Sequence, residues 1–328
     1  MMPAVIRARF GWLALFLAAC GGGSGEATGF RVALITPGSI ADAAWNAGAH
    51  EGLMMIRDSL GVEVSHIEAR TPAEQEEALR TYATQGFPLI FAHGFEFQDA
   101  AERVAADFPE AIFAITSGQR LAGRVVPILF RLREPSYLAG MVAGAVSRSG
   151  RIGFVGGIEL PPVRLGYEAW VNGARAINPD IDARSTYLNN FDDAVAGREA
   201  ALALIRTGVD VLTHNADAAG LGVFRAATEF PGVYVQGANK DQTSLAPDRV
   251  LGSAVIDLPR AFLLLAREVH GGGFVPRAEN FGLASGVLFY SPNPALDSLL
   301  PPGFAARLAA AADSIKAGTL VTDRAPPP

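Results

Sequence analysis

The sequence predicts an α/β protein made of two doubly wound parallel-sheet lobes with a ligand cleft between them. Three observations carry this expectation. From Arg31 onward, apolar runs of strand length alternate with amphipathic segments of helix length. The runs are apolar on both faces, as strands covered by helices on either side must be. The same order of elements also occurs twice along the chain.

In the first set, RVALIT (Arg31 to Thr36) reads as a strand and is followed by a helix through Ala43 to Ser59. VEVSHI (Val62 to Ile67) is the second strand, and Thr71 and Pro72 suit the cap and first turn of a helix running to Gln85. LIFAHG (Leu89 to Gly94), a helix from Phe97 to Asp107 and AIFAIT (Ala111 to Thr116) complete the set. The second set begins with RIGFVGG (Arg151 to Gly157), a helix around Leu165 to Ile177 and DARSTYL (Asp182 to Leu188). A helix from Ala194 to Thr207, VDVLTHN (Val209 to Asn215), a helix to Thr228 and VYVQG (Val233 to Gly237) follow. Late elements are VLGSAVI (Val250 to Ile256), a helix to Val269, VLFY (Val287 to Tyr290) and a helix from Phe304 to Lys316.

An internal echo ties the two sets together. The stretch from Ala78 and the stretch from Ala201 both read helix, Gly, strand ending in His, helix, Phe-Pro, strand, with His93 matched by His214 and Phe108 by Phe230. Two lobes of similar design are expected.

Composition narrows the function. Of 328 residues, half are hydrophobic and 18% charged, and 33 acids against 27 bases give a net charge of −6. No basic excess is available for nucleic acid, so none is expected as a partner. One cysteine among 328 residues can form neither an internal disulfide nor a CxxC metal or redox site. That cysteine has a telling neighbourhood. Arg7 and Arg9 precede the apolar run Phe10 to Ala19, which is too short to span a bilayer and ends at Leu17-Ala18-Ala19-Cys20. Residues 1–19 therefore read as a signal peptide, and the last four residues resemble the lipobox of bacterial lipoproteins, with Cys20 as the lipidated first residue. Residues 20–29, which include GGGSGEAT, read as a flexible tether. Cleavage would leave 309 residues (328 less 19).

Ligands of open parallel sheets sit beyond the carboxyl ends of the strands. Those positions hold Thr36 and Ser39, His93 to Glu96, Thr116 and Ser117, Asn215 to Asp217 and Asn239 to Asp241, interleaved with Trp45, Phe95, Phe97 and Phe191. Aromatic faces among amides and carboxylates suit a flat, polar small molecule. A single strand-end His or Asn more often caps the next helix, so the set is worth more than its members. Catalytic signatures are missing: there is no Walker loop, H-E-x-x-H, G-x-S-x-G or strand-linked G-x-G-x-x-G. His270-Gly271-Gly272-Gly273 reads as a helix terminus and Asp192-Asp193 as a solvated loop at a helix start. The chain is read as no enzyme, with no catalytic residue, cofactor or metal.

The stretch from Gly38 to Asn46, with Glu51-Gly52 after it, resembles the D-x-x-[FW]-N signature of the basic membrane protein (BMP, or PnrA-like) lipoproteins, the substrate-binding components of ABC importers. SYLAGMVAG (Ser136 to Gly144), GFVGGIELPPV (Gly153 to Val163), NGARAINPDI (Asn172 to Ile181), NNFDDAVAGREAALALIRTGVDVL (Asn189 to Leu212), GLGVF (Gly220 to Phe224) and FGLASGV (Phe281 to Val287) follow in the family's order. The resemblance implies a type I periplasmic-binding fold with three crossovers, lobe 1 comprising 30–129 plus 238–278 and lobe 2 comprising 130–237 plus 279–328. It also implies a monomer, lipid-anchored at the extracytoplasmic face, that binds a purine-nucleoside-like or other flat aromatic solute and serves permease and ATPase subunits. Trp45 falls on the family's stacking aromatic, and Asp42 and Asn46 on its first polar loop. Phe191 or Trp170 would supply the opposing face. The ligand-binding set is then Asp42, Trp45, Asn46, His93, Phe95, Ser117, Trp170, Phe191, Asn215, Asn239 and Asp241. The family's GVDSDQ reads Gly237-Ala238-Asn239-Lys240-Asp241-Gln242 here, its lysine reads Ile256 and a strand-closing aspartate reads Ser117. Other readings of the same chain are a ligand-sensing receptor component and a lipid-anchored nucleoside or sugar hydrolase.

Overall fold

A computed structural model describes residues 29–42 and 44–323. Cys20 and the signal peptide lie outside the described residues, as does the tether up to residue 28.

The first lobe begins as β1 (Arg31–Thr36), α1 (Trp45–Leu60), β2 (Glu63–Glu68), α2 (Pro72–Thr84), β3 (Leu89–His93), α3 (Gln98–Ala105), β4 (Ile112–Thr116) and β5 (Val125–Phe130). The chain then crosses to α4 (Arg133–Val146), β6 (Arg151–Gly156), α5 (Pro161–Arg175), β7 (Asp182–Tyr187), α6 (Ala194–Arg206), β8 (Val211–Asn215), α7 (Asp217–Thr228), β9 (Tyr234–Asn239) and β10 (Val250–Ile256). It returns for α8 (Leu258–His270) and β11 (Glu279–Phe281), and ends in the second lobe with β12 (Leu288–Pro292) and α9 (Phe304–Lys316).

The two sheets share one plan. Their strand orders are β11-β5-β4-β3-β1-β2 and β12-β10-β9-β8-β6-β7, so each strand from β1 to β5 has a counterpart from β6 to β10. Only the last strand differs, since β11 runs parallel to β5 and β12 antiparallel to β10. The duplication expected from the echo is thus present in the topology.

Two segments belong to the other sheet from the one expected. β10, expected in lobe 1, pairs with β9 and β12, and β11, expected in lobe 2, pairs with β5. The crossings follow β5, β10 and β11, so the boundaries fall near residues 131, 257 and 282. β5 and α4 carry no expectation from the sequence. Pro127 breaks the strand signal of VVPILF, yet β11 pairs only with Ile128 to Phe130, which leaves Pro127 where the strand is an edge. α4 is buried all round and so lacks an amphipathic stripe.

Small residues set the helix spacing. A Cβ at Gly140 of α4 would land on the Trp170 carbonyl of α5, and one at Gly173 of α5 on the Tyr137 carbonyl of α4. α1 and α8 pack in the same way in the first lobe, with Gly48 and Gly52 against Leu258 and Phe262. Each crossing element therefore docks onto the lobe that it enters.

A buried carboxylate ties two of the crossings. Glu134 accepts from the Leu283 backbone N–H at 2.6 Å and from Arg131 Nη1 at 3.1 Å. Arg131 in turn donates to Asn280 Oδ1 at 2.9 Å.

Candidate ligand-binding site

The carboxyl ends of both sheets face one cavity of about 520 Å³. Trp45, Asn46, Phe95 and Ser117 line it from the first lobe, and Phe191, Asn215 and Asn239 from the second. Ile256, which departs from the family's lysine, lines it as well. Arg70, Pro72 and Gln75 enter at the start of α2, whose capping box pairs Thr71 with Glu74.

Four of the expected site residues lie elsewhere, each for a visible reason. Asp42 sits beneath the loop and accepts from the backbone N–H groups of Ala44, Asn46 and Ala47 at 3.0, 2.7 and 2.9 Å. It fixes the start of α1 and hence the placement of Trp45 and Asn46. His93 is wholly buried, and its Nε2–H donates to the Trp45 carbonyl at 3.1 Å while Nδ1 accepts from Thr116 Oγ1 at 3.0 Å. A carbonyl can only accept, so this tautomer is dictated by the partners. Trp170 is a core residue of the second lobe that donates Nε1–H to Gln236 Oε1 at 2.7 Å, which leaves Phe191 as the second-lobe aromatic in the cavity. Asp241 turns outward to accept from Ser291 Oγ at 2.7 Å and from the Thr243 N–H at 3.0 Å.

Trp45 packs on His93 with ring centroids 4.1 Å apart and meets Phe130 edge-on at 6.0 Å. The Phe191 ring lies against the Gly157 backbone, where a Cβ would collide with it. Both aromatic walls are therefore held by neighbours before any ligand arrives.

Backbone strain concentrates here. Among the described residues, Ser117, Asn189, Asp217 and Asn239 are the non-glycine residues with left-handed φ, at 57°, 61°, 45° and 67°, and all four line the cavity. Ser117 directly follows β4 and Asn239 ends its counterpart β9. Asn239 Nδ2 donates to Asp217 Oδ1 at 3.3 Å.

The polar lining is acidic. Glu96, Asp192 and Asp217 contribute carboxyls, whereas Arg70 is the cation and is paired with Glu68. Burial, reinforced by Asp42, pushes the Asp217 carboxyl up to about 8. Partial desolvation at the cavity raises Glu96, although the residue as a whole stays exposed. Burial lowers His93 to about 3, so it stays neutral beneath Trp45. Across the cleft, Lys240 forms an ion pair with Glu51 of α1.

Sequence reasoning covered Glu96 and Asp217 only as members of strand-end segments, and it missed Arg70, Gln75, Phe130, Asn189 and Asn190. The signal for them lies at the carboxyl ends of β2, β5 and β7. Asp193 does cap α6, accepting from Val195 and Ala196, as the loop reading of Asp192-Asp193 expected. Its neighbour Asp192 lines the cavity.

Residues 30–298 match the family described as ABC transporter substrate-binding protein PnrA-like. The chain belongs to this family. Basic membrane protein A of Borreliella burgdorferi is 31% identical over 298 residues, spanning 87% of this chain and 86% of the relative. A putative ABC transporter glucose-binding protein of Haloferax volcanii is 28% identical over 268 residues, spanning 81% and 68%. Among solved structures, an ABC transporter solute-binding protein of Conexibacter woesei superposes with a TM-score of 0.73 at 27% identity, covering 89% of this chain and 98% of that one. One from Aeropyrum pernix superposes at 0.79 with 22% identity, covering 89% and 92%. The PnrA-like family has the type I periplasmic-binding architecture, and its members are extracytoplasmic solute binders that serve ABC permease and ATPase subunits. Among the described residues no helix is long and apolar enough to cross a membrane, and no group of three or more His, Cys, Asp or Glu could hold a metal ion.

Proposed function

We propose that this protein is a lipid-anchored binding component of an ABC importer whose ligand is a flat, polar, ring-bearing solute such as a nucleoside. The observation that carries this reading is the pairing of pre-positioned aromatics from opposite lobes, Trp45 and Phe191, on one cavity of about 520 Å³. A ring would stack between them while the surrounding amides and carboxyls read its edge. Lobe closure about the three crossings would then bury the ligand and present a closed form to the permease. Cys20 would carry the lipid that holds the protein at the extracytoplasmic face.

Pre-positioned aromatic walls ringed by amides and carboxyls are what a binding cleft requires, and family membership supports the same reading. A hexose is a second reading, favoured by the similarity to the Haloferax protein described as glucose-binding and by the same union of aromatic faces with carboxyls and amides.

Tryptophan fluorescence titrated with nucleosides, nucleobases, riboflavin and glucose tests the ligand. A saturable change with a ring-bearing solute, lost by at least about tenfold in affinity in Trp45→Ala and in Phe191→Ala, is expected. Saturation by glucose alone would replace this reading with the hexose one. Mass spectrometry of the membrane fraction, with Cys20→Ser released into the soluble fraction, tests the anchor.

A further inference from the structure

Asp217 opens α7 with φ +45° and is 8% exposed. Its Oδ1 takes the Asn239 amide at 3.3 Å, and no other side-chain partner reaches it among the described residues. Charged groups face it from three other elements. Asp42 comes from the loop before α1, Asp192 from the loop before α6 and Glu96 from the loop after β3, and all of them are acidic. Asn46 Oδ1, buried on the same cavity, has no hydrogen-bond partner among the described residues. The polar end of the cleft therefore carries hydrogen-bonding groups left open, with no cation close to Asp217.

We propose that Asp217 is the specificity-determining side chain of the second lobe, giving a hydrogen bond to the ligand as well as receiving one, and that it selects uncharged solutes over their phosphate esters. This rests on the ligand reading above. A carboxyl that is buried among other carboxyls keeps its proton, and in that state it is both a donor and an acceptor. The rise of Asp217 to about 8 agrees with this geometry. Deprotonation would set an anion against Asp42 across the cleft and oppose lobe closure. A ligand phosphate at this end of the cleft would meet the same repulsion, while Arg70, which gives its Nε to Glu68, enters the cavity from the start of α2.

The test uses the mature chain, with inosine, guanosine and adenosine and their 5′-monophosphates at pH 6.5, and with adenosine, whose base does not titrate in this range, between pH 6 and 9.5. In the wild type, a nucleoside should bind at pH 6.5 at least about 100-fold more tightly than its monophosphate, and its affinity should fall about tenfold by pH 9. Asp217→Asn keeps a donor and an acceptor, so it should bind within about threefold of wild type at pH 6.5 and lose the pH dependence. Asp217→Gly relaxes at φ +45° and keeps the fold, and should bind at least about tenfold more weakly. Equal affinity for nucleoside and monophosphate, an unimpaired Asp217→Gly, or an Asp217→Asn variant that follows the wild-type pH profile would each overturn the assignment of Asp217 while leaving the nucleoside reading intact. If no nucleoside binds the wild type, the nucleoside form of the ligand reading fails and the role of Asp217 fails with it.

Discussion

The imidazole of His93 lies under the indole of Trp45, with ring centroids 4.1 Å apart and planes inclined by 26°. The histidine also bonds to the tryptophan's own carbonyl at 3.1 Å, so one buried side chain fixes both the backbone and the ring of the cleft aromatic. His93→Ala removes that support, opens a void and leaves Thr116 without its partner. A loss of about 2–4 kcal/mol in urea unfolding is expected, together with a changed Trp45 emission in the folded state.

The same burial sets an acid limit. His93 is lowered to about 3 and His214 to about 4, from an ordinary 6.5. Below about 6.5 the unfolded chain takes up protons that the native one refuses, so this contribution to stability, complete above 6.5, is lost as pH falls toward 4 and 3. Melting temperature should fall over that window, and more shallowly in His214→Gln, which scanning calorimetry at stepped pH can read.

Asp217 has the opposite sign. Its carboxyl is raised from 3.8 to about 8, so between those values the native state holds a proton that the unfolded state has released, and stability falls as pH rises. Asp217→Asn should match the wild type near pH 4 and exceed it by a few kcal/mol near pH 8 in denaturant titrations.

Helix spacing gives a sharper contrast. Gly140→Ala places a methyl on the Trp170 carbonyl, where backbone cannot yield, and should cost at least about 3 kcal/mol. Gly273→Ala has open space around the new methyl and should stay within about 0.5 kcal/mol in the same urea experiment.

Glu134 joins the first crossing to the third. Glu134→Ala strips the Leu283 N–H of its buried acceptor, and should destabilise by about 1–3 kcal/mol. The diagnostic readout is hydrogen exchange, in which the Leu283 amide should speed up more than amides of the sheet interiors.

Period and apolar runs were enough to reveal both sheets, because strands covered on two faces have little choice of residue. The strands that escaped were those whose partners are remote. β11 has three residues and exists only because β5 lies open beside it, and Pro127 hides β5 for the same reason. The mistaken lobe boundary at β10 has a related cause, since strand propensity does not say which sheet a strand will join. In the cleft, positions were legible and orientations were not. Strand ends pointed to Trp45, Phe191, Asn215 and Asn239, but whether a carboxylate faces the cavity, as Asp217 does, or backbone N–H groups, as Asp42 does, is decided by loop geometry. Trp170 looked like a stacking residue because its partner Gln236 is 66 residues away.

The three crossings carry a consequence for how the chain is made. The first sheet starts at Arg31, yet its outer strand ends at Phe281, and α8, which packs on α1, is complete only at His270. Most of the polypeptide must emerge from the ribosome before either lobe can close its edge. The two sheets gain their last strands within a few residues of each other, β11 ending at Phe281 and β12 starting at Leu288, so neither lobe has its full hydrogen-bonded edge until the chain has all but finished.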